Sequence, residues 1–135
     1  YSEDYDGDQW ALIRWRGAVQ SAFHGKRGQA FLREMLAALD ALPEKRLIAE
    51  ELEESGAVCA IGAVGKARGV DMSKIPVCRE SISGAFGIAE AMAAEIMFEN
   101  DQDFSYWAPK HETSEARFTR MRNWIASQII EWEAP

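Results

Sequence analysis

The residues best suited to binding chemistry form a basic segment near the start of the chain. Residues 9–33 contain no acid but five bases, which are Arg14, Arg16, Lys26, Arg27 and Arg33. Trp10 and Trp15 lie among them, and arginine with aromatic side chains is typical of protein interfaces and of nucleic-acid grooves. Gly25 and Gly28 bracket Lys26 and Arg27, which predicts an accessible basic loop. We therefore expect these five bases to form one positive surface that binds a partner.

The alternative interpretation is that the basic segment interacts with acids of the same domain. Residues 34–54 carry seven acids against two bases, so the basic segment could neutralise them within one domain. Charge pattern alone does not separate these two interpretations.

Phosphate-binding motifs are incomplete in this chain. Gly62-Ala63-Val64-Gly65-Lys66 resembles part of a phosphate loop, but Ala60 and Ala67 stand where the motif needs a glycine and a hydroxyl residue. The same stretch has the spacing of the Gly-x-x-Gly loop of KH domains, yet the two residues between the glycines are apolar. Close helix packing through the glycines is the interpretation we favour.

Metal-binding and catalytic patterns are equally weak. A calcium loop over residues 101–112 would need glycine where Tyr106 stands. His24, His111, Cys59 and Cys78 lack the short spacings of zinc ligands. No nucleophile elbow is present, and two histidines are few for acid–base chemistry. The sequence therefore predicts a protein that is not an enzyme and has no metal or cofactor.

Apolar residues at helical spacing predict an all-α or nearly all-α fold of about five helices. We expect helices over residues 9–23, 29–42 and 83–99, one ending at Gly69, and one beginning at Thr113 or Ser114. The inner stripe of the first helix is predicted to be Leu12, Trp15, Val19 and Phe23. Glutamates favour helix over residues 44–54, and the alternative is a short hairpin within 47–61 that turns at Ser55-Gly56. A flexible acidic arm, residues 1–8, should precede a single domain over 9–135.

Composition narrows the functional classes. A net charge of −7 argues against coating of DNA or anionic lipid by the whole surface. No apolar run reaches the length of a membrane span. Two cysteines, Cys59 and Cys78, are too few for a disulfide framework, so we expect reduced thiols, with Cys59 buried, in a cytoplasmic protein.

Four stretches of the chain resemble a group of small phage and prophage proteins usually labelled hypothetical. They are residues 13–17, 25–33, 41–49 and 59–69, which read IRWRG, GKRGQAFLR, ALPEKRLIA and CAIGAVGKARG. The resemblance implies a bacterial cytoplasm and a phage accessory role, of which inhibition of a host defence system is one example. It brings no catalytic or binding residue with it.

Together these observations predict a non-enzymatic phage-type accessory protein that binds a host protein complex. The alternative is a nucleic-acid-binding protein that uses the basic segment over residues 14–33. Phosphate contacts weaken steeply with salt, which makes the two experimentally separable.

Overall fold

Six α-helices, one short hairpin and one 3-10 helix make up the part of the chain that the structure, a computed structural model, describes: residues 9–102 and 112–130. The helices are α1 (Gln9–His24), α2 (Lys26–Ala41), α3 (Ala60–Arg68), α4 (Arg79–Phe86), α5 (Glu90–Asp101) and α6 (Ser114–Gln128). The hairpin pairs β1 (Glu53–Glu54) with β2 (Ala57–Val58), and the 3-10 helix is Met72–Lys74. The prediction of a nearly all-α fold is confirmed.

Helix α2 lies at the centre of the packing and contacts α1, α3 and α6. Its apolar residues recur every three or four positions, so they form one face, and that face is buried. The fully buried side chains Leu32, Met35 and Leu39 come from this face. Truncating any one of them to alanine should cost about 2–5 kcal/mol.

The predicted hairpin is present, and the helix that glutamate propensity favoured over residues 44–54 is wrong. Glu53 pairs with Val58 and Glu54 with Ala57 in antiparallel register. Ser55 and Gly56 both have positive φ angles, 53° and 85°, as a two-residue turn of this hand requires. Burial of Leu47, Leu52 and Val58 outweighs the helix preference of the surface glutamates, because propensity is worth less than tertiary packing.

The single helix predicted over residues 83–99 is also wrong, because the chain turns by 112° between α4 and α5. Gly87 ends α4 in the left-handed conformation, with φ 72°, and its N–H donates to the Ser83 carbonyl at 3.0 Å. The Ser83 hydroxyl donates to the Ile88 carbonyl at 2.5 Å, which fixes the turn. The bend buries both Phe86 and Ile88 and accounts for the sixth helix.

Two predicted helix ends are confirmed by their capping groups. Thr113 caps α6, where its hydroxyl accepts from the Ala116 N–H at 3.1 Å. Gly69 ends α3 with φ 74°. Gly62 packs so closely that a Cβ there would lie 1.9 Å from the Leu52 carbonyl oxygen, so the glycine motif serves close backbone approach, here between α3 and the segment that precedes β1.

The junction between α5 and α6 is held by charged and polar side chains. Buried Asn100 accepts from the Ala60 N–H at 3.0 Å and donates to the Ile48 carbonyl at 2.9 Å. Arg120 donates to the carbonyls of Glu99 and Asn100, in the last turn of α5, and to that of Gln102, which follows the helix. These bonds satisfy carbonyls that a helix C-terminus otherwise leaves without intrahelical partners.

The predicted acidic arm over residues 1–8 lies outside the described residues. So do most of the calcium-loop candidate, His111 of the zinc candidate and the C-terminal residues from 131 onward.

Candidate interaction surface

Helix α1 is packed on one side only. Phe23 is its one buried residue, while Leu12, Trp15 and Val19 of the predicted inner stripe are half-buried. On the opposite side, Trp10 is 73% exposed and Ile13 is 57% exposed. Among the described residues, these two are the most exposed large apolar side chains.

The bases of α1 lie at the two edges of this outward face. At about 100° per residue, Trp10, Ile13 and Gly17 fall along its centre, with Arg14 to one side and Arg16 to the other. Both arginines are exposed, and nothing lies within 4 Å of where a Cβ of Gly17 would be. We call the surface formed by these five residues the α1 face. It is an apolar strip with a basic rim.

A single residue, Gly25, separates α1 from α2. The predicted loop around Lys26 and Arg27 is wrong, because both residues form the first turn of α2. Gly28 is buried, and a Cβ there would lie 1.8 Å from the Ala22 carbonyl oxygen. This glycine lets α2 begin directly against the end of α1, so the chain turns without a loop.

The first turn of α2 carries two exposed bases and no acid. Helix N-termini favour negative side chains, because the unpaired N–H groups give them a partial positive charge. Gly25 supplies no side-chain cap either. Lys26 and Arg27 therefore stand where they do not benefit helix stability.

A groove runs between α2 and the chain that leaves α6. Its empty volume is about 640 Å³, and its lining residues are His24, Lys26, Gln29, Ala30, Arg33 and Ile130. Lys26 and Arg33 are seven residues apart, about two helical turns, so they lie on the same side of α2. Arg27 is turned about 100° from Lys26 and lines a second depression beside Ile88 and Met92, which Lys26 also borders. The structure therefore brings Lys26 and Arg33 together, places Arg27 to one side of them, and places Arg14 and Arg16 on the α1 face.

Gln29 fixes the walls of this groove. Its Nε2 donates to the Phe23 carbonyl at 2.7 Å and to the Gln128 carbonyl at 3.0 Å, and its Oε1 accepts from the Ile130 N–H at 2.8 Å. One side chain thus ties the end of α1 and the end of α6 to α2. Arg33 adds a bond from Nη2 to the Ile130 carbonyl at 2.7 Å.

Three of the seven acids of residues 34–54 pair with arginines outside the basic segment. Glu34 forms a bidentate pair with Arg68, at 2.6 and 2.7 Å, and Asp40 pairs with Arg122 at 2.6 Å. Each guanidinium lowers the pKa of its partner carboxyl, mainly by hydrogen bonding. The remaining pair is Glu44 with Arg46. Within residues 9–102 and 112–130, none of the five bases of the basic segment forms an ion pair.

The described residues of the other candidate sites are buried or form contacts within the fold. The Gly62–Gly65 stretch is buried inside α3. Asp101 accepts from the Glu50 N–H, and Glu112 pairs with Arg120, so both calcium-loop ends that the structure describes are engaged internally. The described part of the chain has no cluster of three or more His, Cys, Asp or Glu side chains that could hold a metal.

Both cysteines are free thiols in the structure, and Cys59 is buried as expected. Burial raises the pKa of the Cys59 thiol to about 11. Its Sγ accepts from the Gly62 N–H at 3.3 Å, which caps α3. The thiol is therefore protonated at neutral pH and serves packing.

Sequence reasoning missed three features of this surface. Gln29 gave no signal, because only the tertiary structure shows which carbonyls it meets. Ile130 was not singled out from the sequence, yet it is 44% exposed and lines the groove. Ile13 lies outside the predicted inner stripe of α1, so its exposure could have been inferred from helical spacing alone.

In the described ranges, no single helix is long and apolar enough to cross a membrane; α4 and α5 reach that length and hydropathy only jointly, across their bend. No protein-family model, curated protein or solved structure matches the chain.

Proposed function

We propose that this protein is a non-enzymatic binding protein of the phage accessory type, which docks on an acidic surface of a host protein complex in the bacterial cytoplasm. The observation that carries the proposal is the α1 face. It exposes Trp10 and Ile13 between Arg14 and Arg16, and neither arginine is paired with an acid of the described residues.

An apolar centre with a charged rim is the usual anatomy of a protein interface. A tryptophan can bury about 150–250 Å² and is among the most frequent hot-spot residues. Arginines at the rim speed the encounter with an acidic partner and exclude basic ones. A host defence complex that offers such an acidic surface would be a suitable target.

The arrangement of the bases favours a protein partner over a nucleic acid. Phosphates along a strand are best met by a continuous track of bases. Here Arg14 and Arg16 lie on opposite edges of a helix, and Arg27 is turned about 120° from Arg33 around α2, with Lys26 bordering the depressions of both. The net charge of −7 would further repel a long polyanion.

The test is affinity capture from bacterial lysate, with nuclease treatment, followed by quantitative mass spectrometry. The bait variant Trp10→Ser/Arg14→Glu removes the apolar centre and reverses one rim charge. Val77→Ser/Lys74→Glu is the matched control, because Val77 is 43% exposed and Lys74 is 84% exposed on another part of the molecule.

We expect the wild type and the control to retain the same proteins after nuclease treatment and to release them as salt rises. The α1 variant should lose them at an unchanged melting temperature. Capture that disappears with nuclease, together with a shift of labelled DNA or RNA by the purified protein, would establish the nucleic-acid alternative. Undiminished capture by the α1 variant would refute the proposal.

A further inference from the structure

The groove between α2 and the end of α6 combines positive charge with apolar surface. Lys26 and Arg33 line it on one side of α2, and His24 stands at the end that adjoins α1. Ala30 and the half-exposed Ile130 supply apolar surface between them. None of the described lining residues is an acid.

Both bases of the groove have N–H donors for which the described residues provide no acceptor. Arg33 uses Nη2 for the Ile130 carbonyl, and its other N–H groups have no acceptor there. Lys26 has neither a hydrogen-bond acceptor nor an ion pair among the described residues. A carboxylate placed between them could receive charge-assisted bonds from both, because the guanidinium presents several donors in one plane.

The walls of the groove are already held in place. Gln29 has three hydrogen bonds, to Phe23, Gln128 and Ile130, so neither of its N–H donors is left for a ligand carboxylate. Its role is to hold α1, α2 and residues 128–130 together. A groove with fixed walls loses little conformational entropy on binding, which favours affinity.

We propose that this groove binds an acidic peptide segment of the protein partner, with an Asp or Glu carboxylate between Lys26 and Arg33 and a neighbouring apolar side chain on Ala30 and Ile130. The inference rests on the proposed function and specifies its partner. Charge complementarity selects the acid. The apolar surface selects the neighbouring side chain and distinguishes a peptide from free phosphate.

The groove continues the α1 face. His24 is eleven residues after Ile13, about three helical turns, so both lie on the same side of α1. A partner segment that contacts Trp10 and Ile13 could therefore extend along α1 and enter the groove at His24. Among the described lining residues His24 carries the single ring and none is Phe, Tyr or Trp, so little surface is offered on which the bases of a single strand could stack.

The experiment is selection from a random peptide library displayed on phage, with the purified full chain as target. We expect enriched sequences to place Asp or Glu next to a large apolar residue. A synthetic peptide of the most enriched sequence should perturb the amide signals of Ala30 and Ile130 in ¹H–¹⁵N spectra. Lys26→Glu should weaken its binding roughly tenfold or more, Arg33→Gln should also weaken it, and Lys74→Glu should leave it unchanged.

Three results would overturn the groove assignment: enrichment of basic or uncharged sequences, failure of any sequence to be enriched, or binding that Lys26→Glu does not weaken. The melting temperature of each variant shows whether it is folded. Failure here is separable from failure of the proposed function, since lysate capture that depends on Trp10 and Arg14 would stand without the groove. Lysate capture that is unchanged by the substitutions at Trp10 and Arg14 would refute the proposed function, regardless of the result of the peptide selection.

Discussion

Charged side chains have opposite roles in two regions of the molecule. One region is the junction of α5 with α6, and the other is the basic segment on α1 and at the start of α2. At the junction, Arg117 is 11% exposed and donates to the Asn100 carbonyl at 2.9 Å, while Glu112 is 9% exposed and pairs with Arg120 at 2.7 Å. On the α1 face and at the start of α2, Arg14, Arg16 and Lys26 are exposed and meet no acid of the described residues. Arginine serves folding in one region, whereas in the other its charge is left available.

This difference separates stability from binding along the molecule. Breaking a buried or half-buried ion pair leaves an uncompensated charge and is strongly destabilising, whereas an exposed charge contributes little. Substitutions at the junction should therefore lower the free energy of unfolding, and substitutions in the basic segment should change what the protein binds.

Arg120→Ala should have the largest effect, a loss of about 3–5 kcal/mol in the free energy of unfolding. The variant strips the bonds to the Glu99, Asn100 and Gln102 carbonyls and leaves Glu112 without its closest partner. Urea unfolding followed by circular dichroism measures the loss. Arg16→Ala is the control and should change the same quantity by less than about 0.5 kcal/mol. Equal effects of the two substitutions would show that the regions do not differ as described.

A pair of glycines extends the comparison from charge to packing. In Gly62→Ala the new Cβ would lie 1.9 Å from the Leu52 carbonyl, so α3 or the hairpin must shift, at a cost of about 1–3 kcal/mol. Gly17→Ala, on the open face of α1, meets nothing within 4 Å and should stabilise by about 0.4–1 kcal/mol. Thermal unfolding of both variants gives the two signs, and destabilisation by Gly17→Ala would mean that the α1 face is covered.

Arg68 is an intermediate case, because it is partly exposed yet fully engaged. It pairs with Glu34 and lies 5.8 Å from the Phe31 ring centroid and 5.7 Å from that of Phe86. The pairing lowers the pKa of Glu34 below its ordinary value of 4.5, so its stabilisation is present above that pH and is lost as pH falls through the lower value of the folded state.

Arg68→Gln should reduce stability at neutral pH by about 1 kcal/mol, since cation–π contact and an exposed pair are each worth no more than that. It should also flatten the fall in melting temperature between neutral pH and about pH 3, because Glu34 would then titrate near its unfolded value. An unchanged acid profile in the variant would show that the Glu34 pair does not contribute.

The helices that sequence predicted well are those whose ends carry strong local signals. Thr113 caps α6 and Gly69 ends α3, and both are local devices that a sequence displays directly. Gly87 is the same device as Gly69, yet the apolar residues on either side of it continued the helical pattern and concealed the bend. The sequence left the hairpin at Ser55-Gly56 as an alternative to a helix, because the helix propensity of the glutamates opposed the turn signal. The burial of Leu52 and Val58 decides between the two.

The candidate surface was predictable in composition but not in geometry. An acid-free run with arginines and tryptophans is visible in sequence, as is the periodicity that leaves Ile13 outside. The division of the bases among the α1 face, the groove and the side of α2 depends on Gly28, whose close contact with Ala22 removes the expected loop. Glu34 is paired with Arg68 and is therefore not a partner of the basic segment. These two residues are 34 positions apart, and no local pattern encodes such a contact.

Lys26→Glu/Arg27→Glu should not lower the stability, although it reverses two charges. Both residues are exposed in the first turn of α2 and form no ion pair among the described residues, so their loss breaks nothing there. Acids in a first turn interact favourably with the helix dipole, by about 0.3–1 kcal/mol each, so the melting temperature should hold or rise slightly. If the bases instead neutralised internal acids, reversal would create repulsion and the variant would melt lower. Capture of an acidic partner should nevertheless be lost, because the groove then presents a carboxylate at position 26 in place of the Lys26 ammonium. A variant that is as stable as the wild type and no longer binds would place stability and binding in different regions of this chain; one that melts far lower, or that binds at full strength, would contradict that separation.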